Sequence, residues 1–231
     1  MSEAASIVLV VAAHPDDEVL GCGGTVARLA REGRPVHVVV LGEGVTSRYR
    51  RRDEANPAEL DALRSASRRA GEVLGAKEVR NCGLADNRFD TVPLLEIVHR
   101  VEEVVREIRP TVVYSHHPGD LNIDHQITSR AVLTATRPVQ GCPVRDLYAF
   151  EIPSSTEWTF GQGGQGFRPN VFVDVSATIG TKIEAMEVYE DEVRPWPHPR
   201  SPEALRTISR RWGSVCGLDY AEAFELVRSV R

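Results

Sequence analysis

Short continuous apolar segments alternate along the chain with longer segments in which apolar residues recur every three or four positions. Most of the continuous segments are rich in valine and isoleucine, which predicts strands buried on both faces, as in a parallel sheet. In the first two thirds of the chain, the predicted strands are residues 7–13, 36–41, 77–81, 111–115 and 147–152.

The periodic segments between these strands predict helices with one apolar face. In residues 94–108, for example, the apolar positions all fall on a single helical stripe. The predicted helices are residues 25–31, 57–74, 94–108 and 127–136. Because strands alternate with helices, we expect an α/β fold with right-handed crossovers. Its sheet should be Rossmann-like, doubly wound and mostly parallel, with helices on both faces and the core strand order 3-2-1-4-5.

The pattern changes after Ile152, where the regular alternation ends. The sequence there predicts a glycine- and glutamine-rich turn region at 161–166, a strand at 171–175, and helices at 182–192, 202–212 and 220–231. No linker-like segment separates this part from the rest. We therefore expect a single domain over residues 1–231, with a Rossmann-like core (1–152) and a C-terminal α/β extension (153–231) packed on it.

Composition and charge narrow the class of protein. The 231 residues are 42% hydrophobic and 26% charged, which is typical of a soluble globular protein. A formal net charge of −5 provides no strong positive field, so we expect neither nucleic acid nor an anionic membrane as a partner. The four cysteines include no Cys-x-x-Cys pair, which argues against a cysteine zinc site and favours a reducing compartment. The apolar segment 7–13 is too short to span a bilayer and follows no basic region, so we expect a cytoplasmic protein without membrane insertion.

Two clusters of histidine and aspartate follow predicted strands. The first, residues 14–18, reads His-Pro-Asp-Asp-Glu and follows the first strand, and the second, residues 116–125, follows the fourth. In a 3-2-1-4-5 sheet these strands are neighbours at the point where the strand order reverses, which is where open α/β sheets bind ligands. The two clusters are therefore expected to face each other across one crevice.

Such a crevice can hold a metal ion. His14 and Asp17 are three residues apart, so one helical turn places them on nearly the same face. A third ligand from the second cluster would leave one coordination position open, which is typical of catalytic rather than structural zinc. Asp16 lies between the two ligands and is free to act as a base. The competing interpretation is a strand-to-helix turn with an aspartate cap, and the second cluster weakens it.

The same residues carry a resemblance to a known family. The segment 13–18 together with Asp124 and His125 resembles the PIG-L, or LmbE-like, family (N-acetylglucosaminyl-phosphatidylinositol deacetylases). Further agreement lies in residues 23–25, 42–44, 83–86 and 220–224, so that the resemblance spans nearly the whole chain. It implies a zinc-dependent N-deacetylase that removes an acetyl or related acyl group from an amino sugar.

The resemblance also implies roles for individual residues. By position, His14, Asp17 and His125 are similar to the metal ligands of the family, Asp16 to its general base, and Asp124 to a carboxylate behind the ligands. Many relatives carry a histidine that stabilises the oxyanion where this chain has Asn122, which can donate a hydrogen bond but no proton from a cation. His116, His117 or His198 could supply that imidazole instead.

Four residues are candidates for substrate binding. Arg64 keeps the arginine of an Arg-x-x-Glu pattern found in relatives, although Ser67 replaces the acid, and Asp86 matches a position that binds a substrate hydroxyl. Trp158 could stack on a sugar ring. His198 belongs to a polar, proline-rich segment that we expect to close over the site.

The substrate class, the metal and the assembly state stay partly open. The expected partner is a small N-acyl amino sugar or its conjugate, with an amide hydrolase of a non-sugar N-acylamine or thiol conjugate as the alternative. A different class is a Rossmann-like sugar- or nucleotide-binding module with an inactive metal site. Zinc is the expected cofactor, but a site with two histidines and one aspartate accepts other divalent metals as well. Relatives often assemble, which leaves a homo-oligomer open.

Overall fold

A computed structural model describes residues 6–162 and 166–231 of the chain. The strands are β1 (Val8–Ala12), β2 (Val36–Gly42), β3 (Glu78–Leu84), β4 (Val112–His116), β5 (Asp146–Phe150), β6 (Val171–Asp174) and β7 (Ala221–Ser229). The helices are α1 (Asp17–Arg31), α2 (Pro57–Leu74), α3 (Leu94–Ile108), α4 (Ile123–Ala135), α5 (Ile179–Glu187) and α6 (Pro202–Cys216). Within the described ranges, every helix is too short or too polar to traverse a lipid bilayer. Part of the predicted turn region 161–166, residues 163–165, lies outside these ranges.

The seven strands form one sheet in the order β3-β2-β1-β4-β5-β7-β6. The first five strands are parallel, which confirms the predicted 3-2-1-4-5 order. Strand β7 runs antiparallel to both β5 and β6 at the far edge. The α/β fold class is therefore as predicted, with a mixed extension on one side of a parallel core.

Both faces of the sheet are buried under helices. Alternate residues of β1 point to opposite faces: Val8 and Val10 pack in one apolar cluster, whereas Leu9 and Val11 pack in the other. The first cluster includes residues of α1, α2 and α5, and the second includes residues of α3 and α4. Burial on both sides explains why β1 is apolar at every position rather than at every second one.

Helix α1 begins at Asp17, eight residues before the predicted start at Thr25. The sequence places glycines at 21, 23 and 24, which weaken any helical pattern. These glycines are needed for packing: a Cβ on Gly21 would come within 2.5 Å of the Phe150 ring. The helix is irregular at Cys22, whose φ of −149° is not helical.

The helix predicted for residues 220–231 is wrong, because this segment forms strand β7. Alanine, glutamate, leucine and arginine favour a helix locally. In the fold, however, Phe224 lies opposite Phe150 of β5 on one side and Val171 of β6 on the other. Pairing with two strands supplies hydrogen bonds and burial that outweigh local preference.

A buried ion pair joins this strand to the helices. Lys182 of α5 donates a 2.6 Å hydrogen bond to Glu222 of β7 and a 2.8 Å bond to the Leu20 carbonyl, and the lysine is 4% exposed. Glu222 also accepts hydrogen bonds from the backbone amides of Gly24 and Thr25 in α1. This cluster fixes the extension to the helix that begins in the first His/Asp motif.

Replacing Lys182 with methionine is expected to lower the free energy of unfolding by about 3–5 kcal/mol, because the Glu222 carboxylate loses its cation while buried. Urea denaturation measures the change. Lys77, the only other lysine in the sequence, is exposed, so Lys77→Met serves as a matched control with little effect. A loss below about 1 kcal/mol in Lys182→Met would show that the pair contributes no more than an exposed one.

Candidate active site

The two His/Asp clusters meet at the carboxyl ends of β1 and β4, which are adjacent in the sheet. His14 follows β1 and Asp17 is the first residue of α1, while His125 lies in the first turn of α4. Asp17 and His125 are almost fully buried, and His14 is partly open to solvent. The fold therefore brings together the three residues expected to bind a metal.

Three side-chain atoms of these residues form a nearly equilateral triangle. His14 Nδ1 lies 3.2 Å from His125 Nε2 and 3.4 Å from Asp17 Oδ2, and the latter two atoms are 3.3 Å apart. Ligands bound tetrahedrally at zinc distances of 2.0–2.1 Å are separated by about 3.3–3.4 Å. The triangle therefore has the dimensions that a tetrahedral divalent cation requires.

The remaining nitrogen of each imidazole faces a buried carboxylate. His14 Nε2 lies 2.9 Å from Asp124 Oδ2, and His125 Nδ1 lies 3.0 Å from Asp120 Oδ1. A carboxylate behind a histidine favours a proton on the near nitrogen and leaves the far nitrogen free as a ligand. The amides of Asn87 and Phe89 hold Asp124 in this place.

The buried carboxylates around His14 and His125 also favour the binding of a cation. Burial lowers the pKa of His125, but Asp17 and Asp120 oppose this effect and raise it to about 9. Burial acts on His14 in the same direction, and its pKa is nevertheless raised by Asp124 and Asp17. An environment that attracts a proton this strongly also attracts a metal ion, which competes with protons for the same nitrogens.

A second group of potential ligands shares His14 with the first. It consists of His14, Asp86 and Asp124, with His14 Nε2 lying 3.2 Å from Asp86 Oδ1. Asp124 already accepts two backbone hydrogen bonds, and it orients His14 toward the first group. The first group is therefore the better metal site.

Asp16 is buried beside the triangle and adopts a left-handed backbone conformation, with φ of 103°. A non-glycine residue in this region is strained, and such strain often occurs at functional sites. Its carboxylate accepts a 2.8 Å hydrogen bond from Arg200. Burial raises the pKa of Asp16, and the positive charge of Arg200 offsets part of that effect. Asp16 is thus paired with a cation, whereas the sequence suggested an unengaged carboxylate.

Arg200 was not identified as a site residue from the sequence. It donates to Asp16, to Ser154 Oγ at 2.9 Å and to Glu192 at 3.3 Å. Glu192 in turn accepts a hydrogen bond from Arg48. The available signal is the polar segment 198–200, in which the sequence predicts a role for His198 alone. Nothing in the local sequence relates Arg200 to Asp16, which is 184 positions away.

Asn122 caps the N-terminus of α4. Its Oδ1 accepts a 2.8 Å hydrogen bond from the Asp124 amide, and its Nδ2 donates a 3.0 Å bond to Asn87 Oδ1. The side chain lines the site, but both ends of its amide hold other residues in place.

None of the three histidines proposed to replace the missing imidazole provides a cation in the cavity. His116 accepts a hydrogen bond from the Ala13 amide, and burial lowers its pKa to about 3. His117 accepts from the Gly119 amide and does not line the cavity. His198 packs edge-to-face on Trp158, 5.9 Å between ring centroids, so it supports the cavity wall rather than forming it.

A cavity of about 570 Å³ opens next to the triangle of candidate ligands. Its lining includes most of the residues selected from the sequence, namely His14, Asp16, Asp86, Asn122, His125 and Trp158. Arg64 does not line this cavity. On α2 the preceding residue, Leu63, lines the cavity, while Arg64 points to a separate depression, 3.5 Å from Asp61.

Comparison with known proteins places the chain in a family. The sequence profile described as PIG-L, GlcNAc-PI de-N-acetylase, matches residues 9–136. This range is more than half of the chain and contains all three residues of the metal triangle. The chain belongs to the PIG-L family. The resemblance seen in the sequence motifs is thereby confirmed.

The relatives of this chain are named for more than one activity. The chain is 30% identical to 4-oxalmesaconate hydratase of Pseudomonas putida, over 95% of this chain and 88% of that protein. It is 28% identical to diacetylchitobiose deacetylase of Thermococcus kodakarensis, over 96% and 84% of the two chains. In structure it resembles the conserved protein TT1542 of Thermus thermophilus, with a TM-score of 0.75, 27% identity and coverage of 98% and 96%.

Proposed function

We propose that the protein is a metal-dependent hydrolase that removes an N-acetyl or N-acyl group from an amino sugar or its conjugate. The observation that carries the proposal is the triangle of His14, Asp17 and His125, with Asp16 beside it and a cavity in front. The names of PIG-L relatives such as diacetylchitobiose deacetylase support the reaction class.

The donor set suits zinc, and two nitrogens with one carboxylate accept other divalent metals as well. When bound there, the cation supplies Lewis acidity, which polarises a carbonyl group and makes water more acidic. His14, Asp17 and His125 would hold it, and the Asp120 and Asp124 carboxylates would keep the two imidazoles in the ligating tautomer.

Asp16 is the proposed general base. Its carboxylate is buried at the edge of the cavity, accepts a hydrogen bond from Arg200 and is not part of the ligand triangle. It accepts a proton from the attacking water and later returns that proton to the leaving nitrogen. The hydrogen bond from Arg200 holds the carboxylate in place before substrate binds, so little reorganisation is needed during the reaction.

The cavity wall suits a sugar. Trp158 lies on the wall with 40% of its surface exposed, and its flat ring offers a stacking surface for the apolar face of a pyranose. Asp86 faces the same space, accepts a 2.6 Å hydrogen bond from Ser47 and retains acceptor capacity for a sugar hydroxyl.

A substrate panel tests the proposal. The zinc-loaded protein is incubated with N-acetylglucosamine, N,N'-diacetylchitobiose, a glucosaminide conjugate and a non-sugar N-acetylamine, and released amine is measured. We expect release from at least one sugar substrate, and loss of release after treatment with a chelator. Release only from the non-sugar amine would favour the alternative amidase, and metal binding without release from any substrate would favour a binding module.

Hydration of an unsaturated acid is a second candidate, favoured by the 30% identity to a hydratase over 95% of the chain. Both reactions add water to an electrophilic carbon, so the same base can serve either. Incubation with 4-oxalmesaconate, followed by absorbance of the unsaturated system, distinguishes them. Turnover of that compound without amine release from the panel would replace the deacylase proposal.

Asp120 provides a test of the metal site that leaves its three ligands intact. Besides facing His125, Asp120 accepts hydrogen bonds from Ser155 and Thr156, so it is held firmly. Replacing it with asparagine removes the charge behind the imidazole, and we expect the metal affinity to fall about 10–100-fold. Competition with a chromophoric chelator measures the affinity. An unchanged affinity in a folded Asp120→Asn variant would contradict the proposed ligand orientation.

A further inference from the structure

Hydrolysis of an amide places negative charge on the carbonyl oxygen. A hydrogen-bond donor beside that oxygen stabilises the charge. In this chain, position 122 cannot provide a cation, because it is asparagine. Both ends of the Asn122 amide already bind Asp124 and Asn87. A cationic donor must therefore come from another part of the cavity.

Of the arginines that the structure describes, Arg48 and Arg200 line the cavity. The Arg48 side chain is 45% exposed and pairs with Glu192 at the outer rim. The Arg200 side chain is only 23% exposed and reaches inward to Asp16. Arg200 is therefore the cationic group next to the proposed base.

The guanidinium of Arg200 has unused donors. Its Nε binds Ser154, and its Nη1 binds Asp16 and Glu192. Among the described residues, Nη2 has no hydrogen-bond acceptor. The other two nitrogens hold the planar group in a fixed orientation, so that Nη2 is positioned without further loss of side-chain entropy.

We infer that Arg200 is a catalytic residue that donates a hydrogen bond from Nη2 to the carbonyl oxygen of the scissile amide. This inference rests on the proposed deacylase function. It gives Arg200 the charge-stabilising role that position 122 cannot fill in this chain.

The movement of charge during the reaction fits this role. As the water O–H bond breaks, its proton goes to Asp16 while the oxygen forms a bond to the carbonyl carbon and the π electron pair moves to the carbonyl oxygen. Negative charge thus leaves Asp16, which contacts Arg200, and appears on an atom beside the same guanidinium. When the C–N bond breaks, the carbonyl re-forms and Asp16 delivers the proton to nitrogen, which yields the free amine and the carboxylic acid.

The test compares Arg200→Gln with the double variant Arg200→Gln/Asn122→His. For the substrate cleaved fastest in the panel, we expect Arg200→Gln to lower kcat by about 10²–10³-fold, with KM changed less than about threefold. Adding histidine at 122 should restore kcat at least about tenfold, because a cationic donor returns to the cavity from the other side. Arg80→Gln is the matched control: Arg80 lies on β3 outside the cavity, where it pairs with Glu78 of β3 and Glu107 of α3, and its loss should leave kcat unchanged.

Binding of a tetrahedral mimic gives a second readout. The N-methylphosphonyl derivative of the product amine carries the tetrahedral anion, so Arg200→Gln should weaken its binding at least about tenfold while binding of the free amine changes little. Thermal unfolding and metal content identify a variant that fails to fold. In that event Arg200→Lys replaces it, with kcat expected to fall at least about tenfold because lysine keeps the charge and loses the planar fork.

The outcomes separate this inference from the function on which it rests. A wild-type protein that cleaves no N-acyl substrate refutes the proposed function itself. A wild-type protein that is active, together with a folded Arg200→Gln variant within about threefold of it in kcat, refutes only the role of Arg200. An impaired, metal-loaded Arg200→Gln variant that binds the tetrahedral mimic as tightly as the wild type does would show that Arg200 acts by structural support instead.

Discussion

Replacing His125 with alanine is expected to abolish both metal binding and turnover. The substitution removes one of the three atoms of the ligand triangle and leaves the Asp17 and Asp120 carboxylates without their shared imidazole. Loss of the Lewis acid costs several kcal/mol of transition-state stabilisation, and each 1.36 kcal/mol is a tenfold change in rate. We therefore expect kcat/KM to fall about 10³–10⁴-fold or more. Metal content after dialysis and amine release from the best substrate measure the two effects.

His99 provides the matched control for this variant. It lies exposed on α3, outside the cavity, so His99→Ala should retain both metal and activity. Removing the metal from the wild-type protein with a chelator should reproduce the loss, and adding zinc back should reverse it in the wild type but not in His125→Ala. If His125→Ala bound one metal ion per chain with wild-type affinity, the assignment of the triangle as the metal site would be wrong.

Replacing Asp16 with asparagine is expected to lower kcat about 10³-fold while the metal stays bound. Asparagine has nearly the same shape but cannot accept a proton from water, and general-base catalysis contributes about 10²–10⁴-fold. Because Asp16 is not part of the ligand triangle, the affinity for metal should change little. This combination, an inactive protein with full metal content, distinguishes a base from a ligand.

The ion pair with Arg200 adds a second consequence of Asp16→Asn. Asparagine can still accept a hydrogen bond from Arg200, so the guanidinium should stay in place. The exposed Asp90 serves as a control, since Asp90→Asn makes the same chemical change outside the cavity. An Asp16→Asn variant that keeps its metal and more than a tenth of the wild-type kcat would show that another group accepts the proton.

Nothing beyond the sequence is needed to recognise the parallel core and its candidate metal motif. A strand that is apolar at every position, such as Val8–Ala12, must be covered on both sides, and helix α3 has the predicted bounds because its stripe is unbroken. His14 and Asp17 are close in sequence, so their proximity follows from a single helical turn. His125 joins them because adjacent parallel strands bring the loops that follow them to the same edge.

Features that depend on contacts between distant segments required the tertiary structure. Residues 221–229 favour a helix by themselves and become a strand only because β5 and β6 offer edges on both sides. The direction of Arg64 depends on how α2 is rotated about its axis, which places Leu63 rather than Arg64 at the cavity. Arg200 reaches Asp16 because the segment between α5 and α6 lies beside the loop that follows β1.

The sequence by itself therefore determined the doubly wound core, the two His/Asp clusters and their family. It could do so because periodicity and short spacings encode which side chains share a face. The tertiary structure alone decided that residues 221–229 form a strand near the edge of the sheet. It also decided the position of Arg200 beside Asp16 and the partners of Asn122. The physical reason is that such contacts form between segments far apart in the chain, where packing and charge rather than local preference select the partner.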